Sequence, residues 1–80
     1  MIDIDTIKVG DKVYYQPDYY KKDGKFENGI VKSIPSCRVA VRVVYHCNDD
    51  WDNYMDYTAA LTDVKDLYIG WNSPLGELEQ

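Results

Sequence analysis

Eighty residues, 45% of them apolar, with fourteen acidic against nine basic side chains and a net charge of −5, describe one small acidic domain. Such a chain holds a core of about a dozen to twenty side chains, which excludes a deep enclosed active site. A negative surface repels phosphate backbones, so cationic peptides or basic patches on other proteins are the natural partners, and nucleic acid is unlikely as the sole one.

Tyrosine is over-represented, with eight copies against one phenylalanine. A tyrosine ring covers apolar surface while its hydroxyl stays wet, so many of these rings are expected to be half buried and some free to bind. No apolar run approaches the ~20 residues of a membrane span, and the acidic start MIDID lacks the basic and apolar regions of a signal peptide. The expected setting is the cytoplasm, where Cys37 and Cys47 stay reduced.

In chain order, Gly10-Asp11 supplies turn chemistry ahead of a first strand that carries Val13 and Tyr15 on one face and stops at Pro17. Residues 17–28 read as a long polar loop whose Asp23-Gly24 suits a tight hairpin, with Tyr19, Tyr20 and Phe26 paired across it. Asn28-Gly29 opens a second strand, Ile30 to Ile34, whose mixed pattern suits a strand that bends. In the third strand Val39, Val41, Val43 and Tyr45 alternate with Ala40, Arg42, Val44 and His46, so one face is core and the other partly wet. A loop over residues 48–53 precedes a fourth strand, Tyr54 to Leu61. Thr62 or Asp63 then caps a single helical turn from Asp63 to Leu67, and Tyr68 to Trp71 makes a closing strand. Val13, Val31, Val41, Val43, Leu61, Leu67 and Ile69 are the expected core.

This layout resembles the SH3-like barrels, above all their Tudor and KOW-type variants. The likeness rests on Val9-Gly10-Asp11-Lys12-Val13, on Gly29-Ile30-Val31, and on Asp63 to Leu67 followed by Tyr68-Ile69. It implies an all-β fold, a small five-stranded barrel over residues 1–71 with a short 3-10 turn before the last strand; residues 72–80, with Pro74, Gly76 and two Glu, read by composition as a flexible C-terminal tail. The segment from Val43 to Trp71 is also similar to small uncharacterised proteins of bacteria and their phages. SH3-like domains mostly bind and rarely catalyse, so the resemblance implies a binding module. In the Tudor branch a cage of aromatic rings holds a methylated cation, and Tyr15, Tyr19, Trp51, Tyr54 and Tyr57 fall in the matching regions, beside Asp50 and Asp52.

Independently of any family, the segment from Asn48 to Tyr57 places aromatic rings among carboxylates, a combination that attracts cations. Tyr19, Tyr20, Trp51, Tyr54 and Tyr57, with Asp49, Asp50 and Asp52 as a charged rim, are the candidate partner-binding residues. The competing reading makes Trp51 a lid on the barrel and Tyr54 and Tyr57 packing residues. His46 and Cys47 are neighbours on a strand and point to opposite faces, and no CxxC or HxxxH spacing exists, so neither a metal site nor a cofactor is expected. The same opposition separates the lone histidine from Cys47 as a catalytic pair, and an enzyme is not expected. Two other readings remain open: a nucleic-acid-associated barrel using Lys21, Lys22, Lys25, Arg38 and Arg42, and a structural subunit that self-associates through strand edges.

Overall fold

The computed structural model describes residues 2–37 and 39–72. Its frame is one antiparallel five-stranded sheet built from β1 (Lys12–Tyr15), β2 (Glu27–Ser33), β3 (Ala40–Val44), β4 (Ala60–Asp63) and β5 (Leu67–Ile69). Their spatial order is β4-β3-β2-β1-β5, so the first four strands meander and the last crosses back to pair with β1. The tail expected at 72–80 lies outside the described residues except for Asn72. Among the described residues no helix is long and apolar enough to cross a membrane.

Period-two alternation explains the burial. Val13, Val31, Val41, Val43 and Leu67 face inward with no exposed surface, and Ile2 and Ile7 from the N-terminal segment complete the cluster. Ile30 and Val44, paired directly across β2 and β3, alternate to the other face, yet they too are buried. A 3-10 segment over Trp51–Asp56 packs on β2 and covers that second face. The register of β2 against β3 slips between Val31 and Ser33, which leaves Lys32 in a bulge with its ammonium 2.6 Å from the Tyr57 carbonyl. Gly29 is fixed by packing: a Cβ there would lie 2.5 Å from Val43 Cγ1 and 2.7 Å from the Val44 carbonyl oxygen.

Several expectations are corrected. Leu61 and Ile69 do not belong to the core; they are 56% and 62% exposed. Leu61 sits opposite Arg42 on the outer face while Thr62 turns inward, and Ile69 pairs with Val13 at the sheet's edge, beyond the packed interior. The 17–28 segment is not a hairpin loop. Pro17, with its φ of −69°, leads into a short helix, α1 (Asp18–Lys22). Asp23-Gly24 closes that helix: Gly24 has φ +67°, its N–H donates to Lys21 and the Lys25 N–H donates to Tyr20. The same dipeptide serves a hairpin or a helix end, and the helical turn before it decides which. The fourth strand begins at Ala60, because Tyr54 to Asp56 belong to the 3-10 segment. The helical turn before the last strand forms over Val64–Asp66.

Candidate functional site

The candidate residues fall on opposite faces of the sheet. Asn48 and Asp49 have φ of +54° and +65°, a left-handed pair that Asn and Asp tolerate, and the Asp50 N–H closes the turn on the Cys47 carbonyl at 2.9 Å. This turn throws the chain from β3 across the outer face. Asp50 then organises the 3-10 segment, accepting from Asn53 Nδ2 at 2.8 Å and from the Tyr57 hydroxyl at 2.9 Å. That bond to a carboxylate holds the Tyr57 phenol above its ordinary pKa. The Tyr54 hydroxyl lies over Gly10, 3.3 Å from where a Cβ would stand.

Trp51, half buried, rests on Trp71, with ring centroids 4.9 Å apart. Trp71 is pinned in turn: its Nε1 donates to the Gly29 carbonyl at 2.8 Å, and Asn28 bonds both the N–H and the carbonyl of Asn72, each at 2.9 Å. The Lys12 ammonium sits 4.5 Å above the Trp71 ring. Lys12, Ile30, Trp51 and Trp71 line a shallow groove with Asp49, Asp50 and Asp52.

A larger groove of about 490 Å³ opens on the inner face, lined by Tyr15, Glu27, Tyr45, His46, all four residues of β4 and Asp66. Tyr15 stands edge-on to Tyr45 (6.1 Å) and to Tyr20 (5.4 Å), and Tyr19 stands edge-on to Tyr20 (5.0 Å). The α1 tyrosines therefore extend this aromatic wall. Tyr20 donates to Glu27 Oε2 at 3.2 Å, and His46 Nε2 lies 3.5 Å from Glu27 Oε1. The Tyr45 and Thr62 hydroxyls are 2.9 Å apart. Burial pushes the Tyr45 phenol up to about 12, with the carboxylates of Glu27 and Asp66 adding to the rise. Tyr20 is raised by the charge of Glu27, and Tyr15 chiefly by its hydroxyl contact with Tyr19 at 3.4 Å. Ionisation is thus disfavoured around this groove by negative potential as well as by burial.

Tyr19 and Tyr20 belong to the inner-face cluster, whereas Asp49, Asp50, Trp51, Asp52, Tyr54 and Tyr57 belong to the outer-face segment. Lys12 and Trp71 on one side, and Tyr45, Glu27, Asp63 and Asp66 on the other, went unnoticed as site residues. Alternation gave a usable signal for Tyr45, which shares a face with Val43 but lies just past the end of β3, where the core opens. Of the basic residues considered for nucleic acid, Lys21 is held 5.1 Å over the Tyr68 ring and 3.8 Å from Asp18, and Arg38 lies outside the described residues.

Residues 5–65 match the family model described as Domain of unknown function (DUF7205). The chain belongs to this family. The match spans the sheet from the turn before β1 to the helical turn after β4, so it includes both grooves except for Trp71 and Asp66. No curated protein and no solved structure matches the chain.

Proposed function

We propose that this DUF7205 chain is a non-catalytic binding module that takes a cationic side chain of a partner protein or peptide into the tyrosine groove. One observation carries the reading: three carboxylates and two tyrosine rings line the groove, and among the described residues no lysine or arginine does. A cation over such rings gains about 0.5 to 2 kcal/mol, and converging carboxylates add to the attraction. An SH3-like barrel of the Tudor kind is the fold we infer, supported by the strand order and by the 3-10 turn between the last two strands. Tyr20 and Tyr19 then act as the flank of the site, and Tyr20 also holds Glu27 in place.

Labelled hexalysine tests this reading, with labelled hexaglutamate and a labelled single-stranded oligonucleotide titrated in separate experiments, because either polyanion would bind hexalysine itself. Expected are saturable binding of hexalysine that weakens with salt, no binding of the other two, and a loss of tenfold or more, about 1.4 kcal/mol, in a Glu27→Gln/Asp66→Asn double variant that melts like the parent. Equal binding of hexalysine by that variant would remove the groove from consideration. Preference for the oligonucleotide would instead support the nucleic-acid reading.

A further inference from the structure

The groove touches β4 in an unusual way. Consecutive strand residues point to opposite faces, yet Ala60, Leu61, Thr62 and Asp63 all line it, so the groove, which lies on the inner face beside Tyr15 and Tyr45, runs at β4 along the strand's edge. Among the described residues that edge has no partner strand, because β4 ends the sheet order and pairs with β3 alone. The Val64 N–H bonds to the Val39 carbonyl at 3.0 Å, which fixes the phase of the antiparallel ladder. Bonded pairs alternate, so Thr62 and Ala60 also turn their main-chain groups towards β3, while Leu61 and Asp63 turn theirs outward. As the cap of the 3-10 turn over Val64–Asp66, Asp63 gives its carbonyl to that turn, so the outward groups left to a partner are the N–H and carbonyl of Leu61 and the N–H of Asp63, and among the described residues no loop, turn or side chain bonds them.

We propose that β4 accepts an added strand: an extended basic segment of a partner protein pairs with Leu61 and Asp63 and sends alternate Lys or Arg side chains into the tyrosine groove. The inference rests on the cation-binding role proposed above and specifies the form of its ligand. Main-chain bonds to an open edge supply affinity, and pockets for alternate side chains supply selectivity. Four residues of β4 span roughly 13 Å, enough for a segment of four or five residues. Charge decides the occupant. A second copy pairing through its own β4 would bring Asp63 and Asp66 towards their counterparts, and like charges across a strand pair are unfavourable.

The probe is a lysine-valine alternating peptide, compared with the same peptide N-methylated at alternate amides. Peptide binding is expected to slow amide exchange at Leu61 and Asp63 by roughly tenfold or more, and methylation in one of the two phases should abolish it. Asp63 has φ −61° and ψ 133°, values that proline adopts, so Asp63→Pro removes an outward N–H without strain. Asp63→Pro is expected to weaken peptide binding about tenfold more than Asp63→Asn, which loses the charge alone. Binding without slower exchange at Leu61 and Asp63 would overturn strand addition and leave the side-chain reading standing, whereas no binding at all would overturn both. Protection of the two amides before peptide is added would show the edge already covered and would also overturn it. Should Asp63→Pro fail to fold, the exchange measurement on the parent chain decides.

Discussion

The two grooves are both built from aromatic rings and carboxylates, and the difference that separates them is a cation. On the outer face, two tryptophans and three aspartates are accompanied by Lys12, whose ammonium already occupies the space above Trp71. On the inner face, tyrosines and carboxylates line a larger groove, with no lysine or arginine among the described residues. An aromatic and acidic composition therefore does not by itself mark a docking surface. What matters is whether the chain supplies its own cation, and that depends on strand register: Lys12 stands opposite Ile30, one position out of phase with Val13. The outer groove is a clasp in which Lys12 and Trp51 both rest on Trp71, and the inner one is the groove for which we propose a partner's cation.

Both grooves depend on one sheet, so the largest effect comes from breaking it. Val43 has no exposed surface and lies inward between the two faces. Val43→Asp is expected to abolish the cooperative melt, because a lone buried carboxylate costs several kcal/mol against a total stability of roughly 5. Circular dichroism on heating reads this directly, and an unchanged transition would invalidate the core described here.

Trp51→Ala separates the clasp from the site. The half-buried indole packs on Trp71, so its loss is expected to cost about 1 to 2 kcal/mol of stability while hexalysine binding changes less than about twofold. A large loss of binding with unchanged stability would reverse the roles assigned to the two grooves.

Alkaline titration of the parent beside a Tyr45 variant probes the inner groove. Tyr45 carries its proton up to about pH 12 in the folded chain, against about 10 when unfolded. Between those values the unfolded state has released a proton that the folded state retains, so stability is complete below pH 10 and is lost as pH rises through 12. Tyr15, Tyr20 and Tyr57 shift in the same direction, so the parent chain loses stability through all four. Tyr45→Phe should flatten the slope by about 1 kcal/mol over this window, after allowance for solvent screening of a partly exposed ring. Denaturant midpoints at several alkaline pH values test it, and identical slopes would contradict the assignment.

Much of this fold was legible in the chain, and the failures have local causes. The β-branched alternation around Val41 and Val43 located β3, and the Val64–Asp66 turn followed from its flanking strands. The helix α1 was missed because Asp23-Gly24 fits two turn types, and nothing within the dipeptide says that Tyr19 and Tyr20 turn helically before it. Alternation alone leaves the phase of the fourth strand open, and pairing with β3 sets Leu61 opposite exposed Arg42 and Thr62 opposite Val41, one residue from the phase that makes Leu61 core. Ile2 and Ile7 were overlooked since acidic neighbours separate them, although both are buried. Of the candidate site, the sequence shows the residue types alone, and no local pattern reveals that Tyr19 and Trp51 belong to opposite faces. That depends on which strand pairs with which.

The smallest expected effect tests the comparison most closely. A cation over an aromatic ring at a partly exposed position contributes about 0.5 to 1 kcal/mol. Lys12 is exposed, so Lys12→Met, which keeps most of the aliphatic stem, should lower the melting temperature by only a few degrees. Binding should change more than stability. Without its own ammonium the outer groove retains Trp51, Trp71, Asp49, Asp50 and Asp52, the same materials as the inner groove in open form. The variant is therefore expected to bind a second hexalysine, weaker than the first and insensitive to the Glu27→Gln/Asp66→Asn change. Calorimetric titration counts the sites. A single site in both parent and variant would mean that Lys12 is not what distinguishes the two grooves, and that the shape of the outer groove, not its occupancy, keeps cations away.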